Sequence, residues 1–291
     1  MTAPQMSPAE LESAATLVHL ALAEDLGPTG DRTSLATVPE STRATAAFVA
    51  RGPGVVAGLP VAALVCRDVS PGLQFTPLVP DGTVTTRGTR VATVSGPLRA
   101  VLAAERTALN FLQRLSGVAS LTRKYLDAAA GHRAQVLDTR KTTPGWRLLE
   151  KYAVRTGGGT NHRVGLYDGI LIKDNHLAGL GGDVRAAVVA AREYPGNAGL
   201  PVEVEVDTLE QLEHALAVKA DIVLLDNMTL DQLRAAVARR DVSSPTTLLE
   251  ASGGVNLETV RDIAGTGVDR ISVGALTHSA PALDIGLDYL S

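Results

Sequence analysis

Short apolar runs alternate with amphipathic segments through the second half of the chain. The runs are rich in β-branched residues and have the length of strands; they cover 134–137, 169–172, 202–206, 222–225, 247–249 and 270–273. Between them, apolar residues recur at helical spacing at 184–193, 209–218, 230–239 and 257–265. Alternation of strand and helix is typical of a parallel sheet with right-handed crossovers. The pattern therefore predicts an α/β fold for this half of the chain.

Each apolar run ends in polar residues or glycine. These endings lie at 138–141, 173–176, 207, 226–227, 250–254, and 274 with 278. In a β/α barrel the carboxyl ends of all strands meet at one face, whereas an open sheet brings together only those at its switch point. Six such endings favour the barrel. Six strands are fewer than eight, so the barrel is incomplete or two of its strands carry little signal.

The first part of the chain has another pattern, in which helices and short strands predict a separate domain. A capping box of Ser7 and Glu10 starts a helix that ends at Gly27. Strand-like runs follow at 46–50, 54–57, 73–78 and 91–94, and a helical pattern covers 98–115. We expect Gly117 to break that helix and a second helix to follow it. The predicted domains are 1–120 and 121–279, and the tail, 280–291, can pack on the first.

Composition and charge narrow the class of partner. Of the 291 residues 45% are hydrophobic, which is enough for a sizeable core, and the formal net charge is -4. That charge argues against nucleic acid or an anionic membrane as partner. The single cysteine, Cys66, excludes an internal disulfide and fits the reducing environment of the cytoplasm.

Two motifs contrast with this acidic background. Residues 138–145 read Asp-Thr-Arg-Lys-Thr-Thr-Pro-Gly after a predicted strand, and 157–163 read Gly-Gly-Gly-Thr-Asn-His-Arg. Cationic side chains packed this densely repel one another unless an anion lies between them. A guanidinium binds carboxylate and phosphate oxygens two at a time. The motifs therefore predict a small, polyanionic substrate.

Glycines at two later strand ends predict a phosphate site. The loops that follow the last two strands of a β/α barrel often bind phosphate through exposed backbone N–H groups, which glycine lets the anion approach closely. The candidate residues are Ser252, Gly253, Gly254, Val273, Gly274 and Ala275.

Taken in order, these motifs resemble the quinolinate phosphoribosyltransferase family. The resemblance rests on 138–145, 157–163, Ile-Lys-Asp-Asn-His at 172–176, Val-Glu-Val-Glu-Val at 202–206, Leu-Asp-Asn at 225–227, 249–254 and 271–278, with Glu-Arg at 105–106 in the first domain. It implies an incomplete α/β barrel with an N-terminal α/β sandwich, assembled at least as a homodimer. It also implies a pentosyltransferase of NAD biosynthesis that converts quinolinate and phosphoribosyl pyrophosphate to nicotinate mononucleotide, pyrophosphate and carbon dioxide, with Mg²⁺.

The resemblance further implies roles for individual residues. Arg140, His162 and Arg163 would hold the two carboxylates of quinolinate, while Lys141 and Lys173 would serve phosphates or a carboxylate. The remaining implied site residues are Thr139 for substrate, Arg106 reaching the partner subunit's site, and Glu203 and Asp226 for ribose hydroxyls and Mg²⁺. Glu205 and Asp207 share a strand face with Glu203. Instead of binding substrate or metal, these two carboxylates could form ion pairs with Lys141 or Lys173.

Of three alternatives, two stay open on the residues alone and the third is excluded. A related phosphoribosyltransferase could act on another small-ring acid. A Schiff-base aldolase would use Lys141 or Lys173 as nucleophile, although the neighbouring Arg140 and the polar surroundings disfavour it. A lipoyl-type carrier in the N-terminal domain would need an attachment lysine on a hairpin tip. The first lysine of the chain is Lys124, so covalent carriage by that domain is excluded.

Overall fold

A computed structural model describes residues 4–290 and shows helices and strands throughout this range. The helices are α1 Pro8–Leu26, α2 Arg32–Thr37, α3 Leu59–Val69, α4 Leu98–Ala128, α5 Arg147–Gly157, α6 Asp174–Ala178, α7 Val184–Glu193, α8 Leu209–Ala217, α9 Leu230–Ser243, α10 Val260–Ala264 and α11 Ala275–His278. The strands are β1 Arg43–Ala50, β2 Gly54–Val55, β3 Gln74–Pro77, β4 Val84–Thr85, β5 Arg90–Pro97, β6 Gln135–Leu137, β7 Ile170–Ile172, β8 Val202–Val206, β9 Ile222–Asp226, β10 Leu248–Ser252, β11 Arg270–Ser272 and β12 Ile285–Tyr289. No helix in this part of the chain combines the length and the apolar character that crossing a membrane requires.

The chain divides into two compact units. In the described range the first unit contains residues 4–123, 142–158 and 276–290, and the second contains 124–141 and 159–275. The predicted boundary at residue 120 lies close to the first of these division points. The segment 142–158, which the sequence analysis assigned to the barrel domain, groups with the first unit instead.

The first unit contains an antiparallel sheet in the order β12-β1-β5-β3. Strand β12 comes from the tail of the chain and pairs with β1 along the register Ala46↔Tyr289 to Ala50↔Ile285. The inner strand β1 is buried over its last five residues, as expected of a strand with neighbours on both sides. A two-stranded sheet of β2 and β4 completes the strands of this unit within the described range.

The second unit contains the predicted parallel sheet, in the order β6-β11-β10-β9-β8-β7. Strands β7 to β11 follow one another in chain order, and β6 pairs with β11 rather than with β7. This is the cyclic order of a barrel with its opening between β6 and β7. The opening falls where the intervening segment, 142–158, leaves for the first unit. An incomplete α/β barrel, as predicted, is therefore confirmed.

Helix α4 corrects one prediction, because it runs through Gly117 without a break. Glycine serves here to permit close packing. A Cβ atom at this position would lie 3.0 Å from the Cα of Ala282 and would clash with the carbonyl oxygen of Pro281. The single glycine costs the helix roughly 1 kcal/mol relative to alanine, which the packing of a long buried helix offsets.

Candidate active site

A cavity of about 640 Å³ lies at the carboxyl ends of the barrel strands. It brings together residues that are far apart in sequence, because all six parallel strands point to the same face. The cavity, here called the main pocket, is lined by Thr139, Arg140, Lys141, His162, Arg163, Leu171, Lys173, Glu205, Leu224, Asp226, Asn227, Glu250, Ser252, Gly253, Gly254 and Ser272. Ten of these residues are among the predicted site residues.

A buried aspartate at the end of β6 positions the second cationic motif. Asp138 is fully buried, and its carboxylate accepts hydrogen bonds from the backbone N–H of His162 at 2.8 Å and from Asn161 Nδ2 at 2.6 Å. Upstream, α5 ends at Gly157 and is capped by Gly158, whose φ of 99° favours glycine. The glycine run thus ends a helix, and Asp138 then fixes the backbone that presents His162 and Arg163.

The imidazole of His162 has protein partners at both nitrogens. Its Nε2 lies 3.0 Å from Glu203 and 3.4 Å from Glu250, and its Nδ1 accepts the backbone N–H of Arg163 at 2.8 Å. Burial opposes protonation, but the two carboxylates outweigh it and raise the pKa of His162 to about 9. The N–H of Arg163 acts against this rise, since it favours an unprotonated Nδ1. The proton on Nε2 faces the carboxylates in both protonation states, and the proton that titrates is the one on Nδ1.

Glu203 lies outside the lining of the main pocket, whereas Asp226, its predicted partner, lies within it. Glu203 and Glu205 project from the same face of β8, but Glu203 lies about 7 Å closer to the amino end of the strand. Its carboxylate is buried with His162 and Glu250, and burial raises its pKa. Glu205 lines the main pocket together with Asp226 on the neighbouring strand. The sequence pattern gave both glutamates the same face; only the depth in the barrel separates them.

Four cationic side chains share the main pocket. Lys173 Nζ lies 3.0 Å from Glu205, and Arg163 donates to the carbonyl oxygen of Gly169 at 3.2 Å. Burial lowers the pKa of Arg163, and the charge of Arg140 acts in the same direction. Two guanidinium groups that repel each other this closely form a favourable site for an anion.

The loop 252–254 has a backbone that requires glycine. Gly253 has a φ of 92°, and a Cβ atom there would lie 2.6 Å from Cγ of Asn227 and 3.0 Å from its backbone nitrogen. The N–H of Asn227 donates to the carbonyl oxygen of Ser252 at 2.9 Å, which joins this loop to the end of β9. Gly254 has a φ of 61° but open space around the same position. The loop therefore exposes backbone to the pocket, as a phosphate site needs.

Four other predicted site residues lie outside the main pocket lining. Val273 is buried, and Gly274 and Ala275 lie at the start of α11; the strand residue Ser272 lines the pocket instead. Arg106 is exposed on α4 and lines a separate cavity of about 290 Å³ in the first unit, with Glu24, Asp25 and Asn110 among its neighbours.

Three lining residues, Leu171, Leu224 and Ser272, were not predicted from the sequence. Leu171 and Leu224 precede the predicted site residues Lys173 and Asp226 by two positions, and Ser272 precedes the predicted site residue Gly274 by two. Because strand side chains alternate between faces, this spacing is the signal that would have found them.

The geometry defines an α/β-barrel enzyme with an anion-binding pocket at the carboxyl ends of its strands. Two protein-family models match the chain. The model for "Quinolinate phosphoribosyl transferase, N-terminal domain" matches residues 31–116, and the model for "Quinolinate phosphoribosyl transferase, C-terminal domain" matches residues 118–288. The chain therefore belongs to the quinolinate phosphoribosyltransferase family, and the predicted family is confirmed.

Proteins that are similar in sequence or structure match almost the whole length of this chain. The nicotinate-nucleotide pyrophosphorylase [carboxylating] of Mycobacterium leprae is 49% identical over 288 residues, covering 97% of this chain and 99% of the relative. The solved nicotinate-nucleotide pyrophosphorylase from Francisella tularensis has a TM-score of 0.90 at 39% identity, covering 96% and 97% of the two chains. That from Ehrlichia chaffeensis has a TM-score of 0.88 at 36% identity, covering 99% and 100%.

Proposed function

We propose that this protein transfers the phosphoribosyl group of phosphoribosyl pyrophosphate to quinolinate and releases pyrophosphate and carbon dioxide. The product is nicotinate mononucleotide, a precursor of NAD. The observation that carries the proposal is the convergence of Arg140, Lys141, Arg163 and Lys173 in one pocket of a chain with a net charge of -4. A diacid and a phosphorylated sugar diphosphate together supply the negative charge that such a pocket needs.

The two arginines are the proposed clamp for the carboxylates of quinolinate. Both line the main pocket, and the repulsion between them is relieved when a carboxylate lies between them. His162 is better suited to orient Arg163 than to bind substrate through its ring nitrogens, because both nitrogens face protein groups. This revises the direct clamp role that the resemblance implied for His162.

The glycine loop and the two lysines are proposed to bind the phosphates. Ser252, Gly253 and Gly254 line the same pocket as Lys141 and Lys173, so one substrate can contact both groups. Lys173 is held in an ion pair with Glu205, which suits a charge that binds phosphate and is unsuited to the uncharged amine that a Schiff-base aldolase requires.

The predicted ligands of Mg²⁺ were Glu203 and Asp226. Glu205 is the better partner for Asp226, because these two carboxylates line the same pocket. Glu205 and Asp226 are oxygen donors on adjacent strands that both line the main pocket, whereas Glu203 is buried beside His162. Magnesium favours one or two carboxylates together with waters and substrate phosphates. Bound there, the ion would neutralise charge on the departing pyrophosphate. We propose Glu205 and Asp226 as the residues that hold it.

The protein's own contribution to the reaction is positioning. The pyridine nitrogen of quinolinate attacks C1 of the ribose, and the bond from C1 to the pyrophosphate oxygen breaks, so no side-chain nucleophile is needed. Holding both reactants in line can supply several kcal/mol of the barrier. The resulting pyridinium withdraws electrons from the adjacent carbon, so the bond to its carboxylate breaks and carbon dioxide leaves. The electron pair stays on that ring carbon, which then takes up a proton from solvent to give nicotinate mononucleotide.

We further propose a homodimer or higher homo-oligomer in which Arg106 completes the partner's site. Arg106 is exposed and lies outside the main pocket lining, so it is available to a second copy. Mixing Arg106→Ala protein with Arg163→Ala protein tests this: heterodimers should regain activity that neither variant has alone. Activity that stays at the level of the two separate variants would contradict a role in trans.

A cytoplasmic location is proposed on chemical grounds. Cys66 is the single cysteine of the chain, so no internal disulfide can form, which fits a reducing compartment.

The test of function is turnover of purified protein with Mg²⁺, phosphoribosyl pyrophosphate and either quinolinate or nicotinate. We expect nicotinate mononucleotide and an equal amount of carbon dioxide from quinolinate only. Product from nicotinate would point to a related phosphoribosyltransferase with another acceptor, and no product from either would refute the proposal.

A further inference from the structure

A second cavity lies deeper in the barrel unit, near the amino ends of the strands. It has a volume of about 110 Å³. Its lining includes Glu203, Asp168, Arg270, Pro201 and Ile222, together with His162 and Arg163. We call it the lower chamber. Its walls carry carboxylate and guanidinium groups, so it is a polar space inside the barrel.

The chemistry of the lower chamber is that of a site for water. Among the described residues, Glu203 Oε1 and Arg270 Nε are buried and have no hydrogen-bond partner. Leaving such groups unsatisfied is costly, and native proteins satisfy them with ordered water where space allows. The chamber is several times larger than one water molecule needs.

The lower chamber also has a neighbour that leads toward the surface. A third cavity of about 410 Å³ shares Pro201, Ile222 and Arg270 with it and is also lined by the exposed residues Lys219 and Thr246. The two cavities are therefore adjacent at the amino ends of the strands, on the side away from the main pocket.

His162 and Arg163 line both the lower chamber and the main pocket, so they form the wall between them. Three groups hold the imidazole in this wall: Glu203 and Glu250 at Nε2, and the N–H of Arg163 at Nδ1. Arg163 is in turn bonded to the carbonyl oxygen of Gly169, which lines the lower chamber.

We propose that His162, held in place by Glu203 as a positioning residue, closes the main pocket against water from the lower chamber. This inference rests on the proposed function, in which the ribose C1 becomes strongly electrophilic as pyrophosphate leaves. A water molecule that reached C1 would form a C–O bond there as the bond to pyrophosphate broke, and would lose one proton to solvent. The products would be ribose 5-phosphate and pyrophosphate, with no carbon dioxide. Exclusion of water from a reacting centre prevents such side reactions.

The test is the ratio of pyrophosphate released to nicotinate mononucleotide formed, measured for three variants at saturating substrates. Glu203→Ala removes the acceptor that holds His162 and opens space beside it, so the ratio should rise several-fold. Glu203→Gln keeps the size and an acceptor oxygen, so its ratio should stay near that of the wild type. Ile222→Ala is the matched control, because Ile222 is the register partner of Glu203 on the neighbouring strand, and its truncation enlarges the lower chamber while every acceptor of His162 stays in place.

The outcomes separate the inference from the proposed function. Wild-type protein that forms no nicotinate mononucleotide would refute the function itself. With an active wild type, an unchanged ratio in Glu203→Ala, or an equal rise in Ile222→Ala, would overturn the partition. If Glu203→Ala does not fold, Glu203→Met fills the volume without accepting a hydrogen bond, and an unchanged ratio there would overturn it equally. A merely structural role for Glu203 would lower the amount of active protein and leave the ratio unchanged.

Discussion

Replacing Gly253 by alanine should weaken the binding of phosphoribosyl pyrophosphate far more than that of quinolinate. Gly253 lies in the loop proposed to bind phosphate, with a φ of 92°. A non-glycine residue in the left-handed region costs roughly 1–2 kcal/mol. The new Cβ would also clash with Asn227, and the displacement would break the Asn227–Ser252 backbone hydrogen bond, worth about 0.5–1.5 kcal/mol.

These costs together correspond to about 1.5–3.5 kcal/mol, and every 1.4 kcal/mol is a factor of about ten in affinity. Part of the cost falls on the free protein as well, so we expect the KM for phosphoribosyl pyrophosphate to rise about 10- to 100-fold. Steady-state kinetics with each substrate varied in turn measures this. The KM for quinolinate should change much less, because its proposed clamp lies on other strands.

Gly254→Ala is the matched control for this prediction. Gly254 also has a positive φ, but a Cβ atom there would meet open space. It should therefore carry only the backbone cost of about 1–2 kcal/mol, without the added cost of the Asn227 contact, so its KM should rise several-fold less than that of Gly253→Ala. Equal effects of the two substitutions would refute the reasoning from the Asn227 contact, and an equal rise in the KM for quinolinate would refute the assignment of the loop to phosphate.

Three further predictions concern charge. Arg163→Ala should lower kcat/KM for quinolinate about 100-fold, because it removes charge-assisted hydrogen bonds worth about 1.5–3 kcal/mol each. Steady-state kinetics measures this change. Near-normal turnover would exclude Arg163 from the proposed clamp for the carboxylates of quinolinate. Glu150→Ala should destabilise the first unit by up to about 3–5 kcal/mol, because the fully buried carboxylate accepts from Arg114 at 2.6 Å and from Thr143 at 2.9 Å; thermal unfolding checks this, and an unchanged Tm would contradict it. The pKa of His162 is raised in the folded state, so its contribution to stability is complete below about pH 6.5 and is lost as the pH rises toward about 9. The free energy of unfolding, measured from pH 6 to 10, should decline more in the wild type than in His162→Asn, and parallel curves would contradict this.

The barrel was predictable because its signal is local. Each of the six apolar runs became a strand, and 202–206 and 184–193 have the observed bounds of β8 and α7. Buried parallel strands are covered on both faces, so their sequences are continuous apolar runs that stand out from the helices between them. Their carboxyl ends meet at one face in any such barrel, so the main pocket could be expected from the chain alone.

Gly117 and the segment 142–158 were beyond this local signal. Glycine breaks a helix or permits close packing, and only the approach of residues 281–282 decides which applies at Gly117. Helix α5 was not predicted, because the flanking motifs indicated a site loop on either side of it. It lies in the first unit, where Glu150 and Arg114 bind each other.

The sequence by itself determined the family, the parallel barrel and the cationic character of the main pocket, because residue type, order and strand periodicity are properties of the chain. Only the tertiary structure decided how deep in the barrel each side chain lies. Glu203 and Glu205 are alternating residues of one strand and differ by two positions, yet one is buried against His162 and the other faces the pocket with Lys173. Periodicity fixes the face of a strand on which a side chain lies, but the register between neighbouring strands and the shape of the barrel fix which group it meets.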